Sequence, residues 1–229
     1  MRINQNRRVA SKPITLIVDS TGLKVHGDNG WHREKQGTRK AHKTWPKLHI
    51  GLEPETGDIV TSKLTTEHVG DDTALPDLLT DVDEDVSRFL ADGAYDGLGV
   101  VDCLENKFGT GIEITVPPPK NAVRGKNAQR NHHIDAIAER GRMNWQVKSG
   151  YNQRSQVEAQ IGRWKQVFGD RLQRDFDCQI AETKVAAKAL NRMTSLGRAE
   201  YERVVKSDGV RGQSAPILIH ATHSQNGHA

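Results

Sequence analysis

The sequence predicts an α/β fold in which a mixed sheet is flanked by helices, and three observations point there. Two short apolar runs, "ITLIV" and "RFLA", each lead into an aspartate, Asp19 and Asp92, in the manner of buried strands that end at a polar site. Between them "KLHIGLE" and "DIVTSKLTTE" form a hairpin candidate. After the second aspartate, helical and strand patterns alternate. An antiparallel hairpin followed by alternating helices and strands calls for a mixed sheet with helices packed against it.

Taken in order, "ITLIVDSTG" reads as a buried strand with Asp19 at its carboxyl end and a Ser-Thr-Gly turn behind it. Residues 24–46 are polar and punctuated by glycine, so they read as a basic loop. The hairpin turns through "PETG", whose glycine permits a positive φ. "DDTALPDLLTDV" opens with acids expected to cap a helix, bent at Pro76. "RFLADGAYDG" repeats the strand, aspartate and glycine order. "GVVDCLENKFG" is expected to form a helix closed by Gly109, and "IEITVPPP" a strand stopped by proline. Residues 117–150 form a basic connecting segment with a short helix near "HHIDAIAERG". Helices at 151–168 and about 180–197 follow, and the stretch 206–229 lacks periodicity and is expected to be a disordered tail. No internal repeat is visible.

Composition narrows the function. The net charge of +4 conceals blocks of +8 over 1–50, −13 over 51–119, +8 over 120–174 and +1 over 175–229. Two basic blocks around an acidic one point to a polyanion-binding surface assembled from distant segments, although charge alone fits solvated faces equally well. No apolar run is long enough to cross a bilayer, and the amino terminus has no secretory pattern, which points to a cytosolic protein without membrane partners. Cys103 and Cys178 fit no metal spacing and are expected to be reduced, buried side chains.

The chemistry concentrates on "YNQRSQVEAQIGRWKQVF". With successive residues about 100° apart, Tyr151, Arg154, Glu158 and Lys165 fall within an arc of about 60°, beside an apolar stripe of Val157, Ile161, Trp164 and Phe168. By itself this also describes a surface helix whose Arg154–Glu158 pair contributes about 0.3 kcal/mol. Asp19 and Asp92 shift the balance, because open α/β sheets place ligand sites at strand carboxyl ends. These two isolated carboxylates lack basic partners in adjacent sequence and repel one another, which a hard cation, Mg²⁺ or Mn²⁺, would relieve. Two such ions about 4 Å apart serve phosphodiester displacement, with Asp19 bridging them and Asp92 and Glu158 each completing one site. Arg154 and Lys165 would hold phosphates, and Tyr151 would orient a phosphate or stack on a base.

Other candidates are weaker. Asp96 follows a turn rather than a strand, so Asp92 is preferred to it. The run "DVDEDV" at 81–86 reads as a solvated loop, and His49, His132 and His133 as surface histidines rather than metal ligands. Trp31 and Trp45 lie among cations, as aromatics that stack on bases do, though Trp45 equally suits a loop anchor. Trp164 is assigned to the core.

The spacing Y-x2-R-x3-E-x6-K over Tyr151, Arg154, Glu158 and Lys165 resembles the signature of DDE-type transposases of bacterial insertion sequences. "VDSTGLKV" and "LADGAYDG" are similar to the family's two aspartate motifs, and "GWHREKQGTRKAHKTWPKLHIGLE" to its basic segment. The resemblance implies an RNase H-like catalytic domain over residues 14–200, with Asp19, Asp92 and Glu158 as catalytic, metal-binding residues. It implies Mg²⁺- or Mn²⁺-dependent cleavage and joining of transposon ends without a covalent enzyme intermediate. Tyr151, Arg154 and Lys165 would contact transposon-end DNA, with Arg39, Lys43, Trp45 and Lys47 adding contacts from the basic segment. The implied partners are double-stranded DNA, as transposon ends and target, and further copies of the chain in a synaptic complex at a bacterial nucleoid. Family members carry a helical end-binding region before the first aspartate, so residues 1–13 are expected to be its remnant and the chain a truncated copy. The alternatives are a non-catalytic, DNA-binding or inhibitory fragment, and a nuclease of the same fold that does not join ends.

Overall fold

The computed structural model of the chain describes residues 12–26 and 45–197. Its centre is a five-stranded sheet. Strand β1 (Ile14–Gly22) pairs antiparallel with β3 (Lys47–Leu52), which pairs antiparallel with β4 (Ile59–Thr65). On its other side β1 runs parallel to β5 (Val86–Leu90), and β5 parallel to β6 (Glu113–Thr115). The mixed sheet with helices, expected from the hairpin and the alternation behind it, is therefore present, and it is compatible with an RNase H-like fold. The hairpin turns where Gly57, at φ 73°, donates its N–H to the Glu53 carbonyl at 2.9 Å. A second, two-stranded ribbon joins β2 (Lys24–Val25) in parallel to β7 (Arg171–Leu172).

Side chains of β1 alternate between the two sheet faces, and each face has its own core. Leu16 and Val18 join Val60, Leu75, Leu78, Phe89, Leu104 and Ile114 beneath helices α1 (Asp71–Leu79) and α2 (Leu98–Phe108). Ile17 faces the other way, among Leu48, Ile50, Leu90, Val157, Ile161, Trp164 and Leu190. The helices on that face are α5 (Ser155–Phe168) and α6 (Phe176–Ser195). Between β6 and α5 lie α3 (Ala128–Arg140) and α4 (Arg142–Lys148); α3 buries no residue fully, and α4 buries Trp145. No helix among the described residues is long and apolar enough to cross a membrane.

Several expectations need correction. Strand β1 does not end at Asp19: Ser20, Thr21 and Gly22 stay paired with His49, Leu48 and Lys47, so the carboxylate sits inside the strand. Residues 151–168 are not one α-helix, because Tyr151–Arg154 wind as a 3₁₀ turn before α5 begins. The 117–150 segment holds two helices rather than one. Residues 24–46 are not all loop, since Leu23 donates to the Pro46 carbonyl at 2.9 Å and Lys24–Val25 pair with β7. Asp71 and Asp72 occupy the first turn of α1, but Gly70 takes the cap position without a side-chain bond. His49 is fully buried, with Nε2 2.9 Å from Thr65 Oγ1, and is no surface histidine. His133 is half-buried; only His132 is exposed. Within 81–86, Val82 and Glu84 are buried rather than solvated. Cys178 is exposed and Cys103 half-buried, both as free thiols. Trp164 is in the core as expected, whereas Phe168, on the same stripe, is 39% exposed. Residues 1–11, Trp31, Arg39, Lys43 and the stretch 206–229 lie outside the described residues.

Candidate active site

The register of β1 and β5 places two of the acids. Ile17 is paired with Leu90 across the parallel strands, and Asp19 and Asp92 each lie two residues farther on. Because alternate residues share a face, both carboxylates emerge side by side on the face covered by α5. Each is fixed by a backbone donor on one oxygen. Asp19 Oδ1 accepts from the Ser20 N–H at 2.9 Å, and Asp92 Oδ1 from the Ala94 N–H at 2.9 Å, where it caps the short 3₁₀ turn Gly93–Tyr95. The second oxygen of each is left to face a common centre.

That centre is the guanidinium of Arg154. Its Nη2 donates to Asp19 Oδ2 at 3.2 Å and stands 3.9 Å from Asp92 Oδ2, so those oxygens are no farther apart than the two distances combined. Its Nη1 donates to Glu158 Oε1 at 2.6 Å, one helical turn away. Three acids from three separate elements thus meet around one cation. Burial pushes the Asp19 carboxyl above the usual aspartate range, against the pull of Arg154 and the Ser20 N–H, and with a smaller push from Asp92. Burial also raises the Tyr151 phenol, which Arg154 opposes. Among the described residues no group of three or more His, Cys, Asp and Glu side chains stands at metal-ligand spacing, and at this site the Arg154 guanidinium lies between the carboxylates.

The turn that carries Arg154 is held from outside. Arg88, on β5, donates through Nη2 to the Ser149 carbonyl, through Nη1 to Gln153 Oε1 at 3.2 Å, and through Nε to Glu113 Oε1 at 3.1 Å. Gly150 lies against it at φ 65°, and a Cβ there would come within 2.9 Å of Arg88 Nη2. From α4, the Trp145 ring packs on Tyr151, centroids 5.3 Å apart. Trp145 Nε1 donates to His133 Nδ1 at 3.0 Å; an indole N–H only donates, so Nδ1 carries the lone pair. His133 Nε2–H is then the donor to the Ile114 carbonyl at 2.9 Å, and burial lowers this imidazole's pKa, keeping it neutral. Gly150→Ala is expected to cost about 1–2 kcal/mol of stability in urea denaturation, since it forces a side chain into the left-handed region. Adding Arg88→Met is expected to cost less than the sum of the two single changes, because the close contact is then gone.

The remaining sequence candidates divide. Lys165 Nζ donates to Thr21 Oγ1 at 2.7 Å, two residues beyond Asp19 on the same face of β1. Lys47 points to the opposite face, where its Nζ binds Asp71 Oδ1 at 3.1 Å, so it does not join the three acids. Trp45 is 38% exposed, with its N–H on Glu67 Oε2 and its ring 5.9 Å from Lys24 Nζ. Asp96 is committed elsewhere: Arg130 binds it at 2.7 and 2.9 Å, tying α3 to the 3₁₀ turn behind β5. Sequence reading missed Arg88 and Trp145. Nothing in the residues around Arg88 signals its partners, which arrive from 25 to 65 positions away.

In comparison with known protein families, a family model described as a transposase DDE domain aligns with residues 10–190, most of the chain.

Proposed function

The chain belongs to the transposase DDE domain family, and from that premise we propose that it cleaves DNA at the ends of a bacterial insertion sequence and joins them to target DNA. The family as a whole acts on DNA and generally uses divalent metal ions. The observation that supports the reading here is the convergence of Asp19, Asp92 and Glu158 on a single cation. Their donor chemistry fits Mg²⁺ or Mn²⁺, which take hard carboxylate oxygens. Asp19, Asp92 and Glu158 would hold the ions, two in number. When bound, the ions lower the barrier to in-line attack and stabilise the leaving oxygen.

The chain's own residues do the rest. The two aspartates are pre-set by backbone donors, which limits reorganisation during reaction. Lys165 and Arg154, at the margin of the same face, bind phosphates of the DNA strand, and Tyr151, packed on Trp145, presents its ring to the backbone or a base. Arg39, Lys43 and Trp45 extend the contact to flanking duplex. Transposon ends and target are both double-stranded DNA, held by copies of the chain in a synaptic complex.

A second reading, a DNA-binding fragment that does not cut, is favoured by the position of Arg154 between the acids. Incubating the unmodified chain with labelled duplex DNA and Mg²⁺ or Mn²⁺ separates the two. Strand cleavage leaving 3′-hydroxyl ends, followed by joined products and abolished by chelator, is the expected result. Salt-dependent binding without cleavage in either metal would refute the proposal in favour of the second reading. Cleavage that never yields joined products would make the chain a nuclease.

A further inference from the structure

We propose that Arg154 is an exchangeable counter-ion: it holds Asp19, Asp92 and Glu158 together in the metal-free chain and passes to a DNA phosphate when metal is taken up. Divalent metal and DNA then bind cooperatively, each favouring the other. This inference rests on the function proposed above for the same site.

The contacts carry it. One guanidinium divides its terminal nitrogens among all three acids, at 2.6, 3.2 and 3.9 Å. The Asp19 and Arg154 side chains are only 12% and 18% exposed, so neither charge is well solvated and each needs a partner there. The pairing is nevertheless incomplete, because Arg154 Nε is buried with no hydrogen-bond partner. Both aspartates are fixed independently of it through the Ser20 and Ala94 N–H groups. The two aspartates therefore keep their places when the guanidinium leaves. Glu158, 54% exposed on α5, is the most solvated of the three.

Exchange of partners follows from the charges. Uptake of metal alone strands the guanidinium without an anion. Binding of DNA alone draws the guanidinium to a phosphate and leaves three carboxylates unpaired beside it. With both present, every charge has a partner. Thermodynamic linkage then requires that metal raise DNA affinity by the same factor as DNA raises metal affinity. Arg154 thus couples the two binding events and keeps the site closed to metal away from DNA.

The test is calorimetric titration of the full chain with Mn²⁺, with and without a short duplex DNA of arbitrary sequence, in wild type, Arg154→Met and Arg154→Lys. Thermal transitions recorded in chelator first establish that each variant is folded. Without DNA, Arg154→Met is expected to bind Mn²⁺ about tenfold or more tightly than wild type, with Arg154→Lys between them. With DNA, wild type gains affinity for Mn²⁺ and Arg154→Met gains less than about threefold. Asp19→Asn is expected to weaken Mn²⁺ binding in either background, which assigns the signal to the carboxylates. Unchanged or weaker Mn²⁺ binding by DNA-free Arg154→Met overturns the inference, as does a DNA-induced gain equal to that of wild type. If the methionine variant does not fold, Arg154→Lys decides the matter alone, and wild-type affinity there overturns it. None of these readouts needs cleavage: a chain that shows the coupling without cutting DNA would refute the proposed reaction and leave the exchange intact.

Discussion

Asp19→Asn is expected to lower metal-dependent DNA cleavage on the order of 10³-fold while leaving the chain as stable as before, or more so. The loss follows because a carboxylate at the centre of a metal-dependent displacement contributes several kcal/mol of charge stabilisation, and each 1.4 kcal/mol is about tenfold in rate. Stability behaves differently because burial raises the Asp19 pKa: the charged form is held at a cost in the folded chain. The amide has the same shape and can still accept from the Ser20 N–H; its NH2 then loses the bond from Arg154 Nη2, but that guanidinium keeps Glu158 as its partner. Cleavage rate and thermal midpoint should be measured together. Undiminished cleavage would remove Asp19 from the chemistry, and a large fall in midpoint would make it a structural acid.

The largest effect on stability is expected from Trp164→Ala, a loss of about 3–5 kcal/mol in denaturant unfolding. Trp164 is 2% exposed, in the core that joins α5 to the sheet, with its ring 5.8 Å from that of Phe168 in an edge-on arrangement. No neighbouring side chain can collapse into the space of an indole without moving α5, and α5 carries Glu158. Net stabilities of such domains are about 5–15 kcal/mol, so this single change removes a large share. A loss below about 1 kcal/mol would mean that this face of the sheet is not a close-packed core.

Much of the site could be read from local pattern because it follows backbone periodicity. The apolar runs before Asp19 and Asp92 are parallel neighbours, and alternation alone then sets both acids on one face. The stripe Val157, Ile161 and Trp164 put α5 against that face, and Glu158 came with it. What was hidden depends on contacts across the fold. The 3₁₀ winding of Tyr151–Arg154 answers to Gly150 and the Arg88 clamp, neither visible in the residues 151–168 themselves. His49 looked like a surface residue until Thr65 and Asp71 supplied polar neighbours inside the protein. Phe168 lies at the last position of α5 and remains 39% exposed despite its place on the stripe. The start of α3 carries a local signal in Asn127, which caps it by accepting from the Arg130 N–H at 2.7 Å.

The hydrogen bond from Leu23 to Pro46, with Lys24 over the Trp45 ring, means that the chain departs and returns at nearly one point. Lys24 is itself moored to Asp170 at 2.5 Å, behind α5. Whatever is spliced between those two moorings, the closure is set by the scaffold, and doubling its length costs only about 0.6 kcal/mol. Residues exchanged or inserted there leave the acid-bearing strands paired as they are, so that interval and the strands are free to change at separate rates.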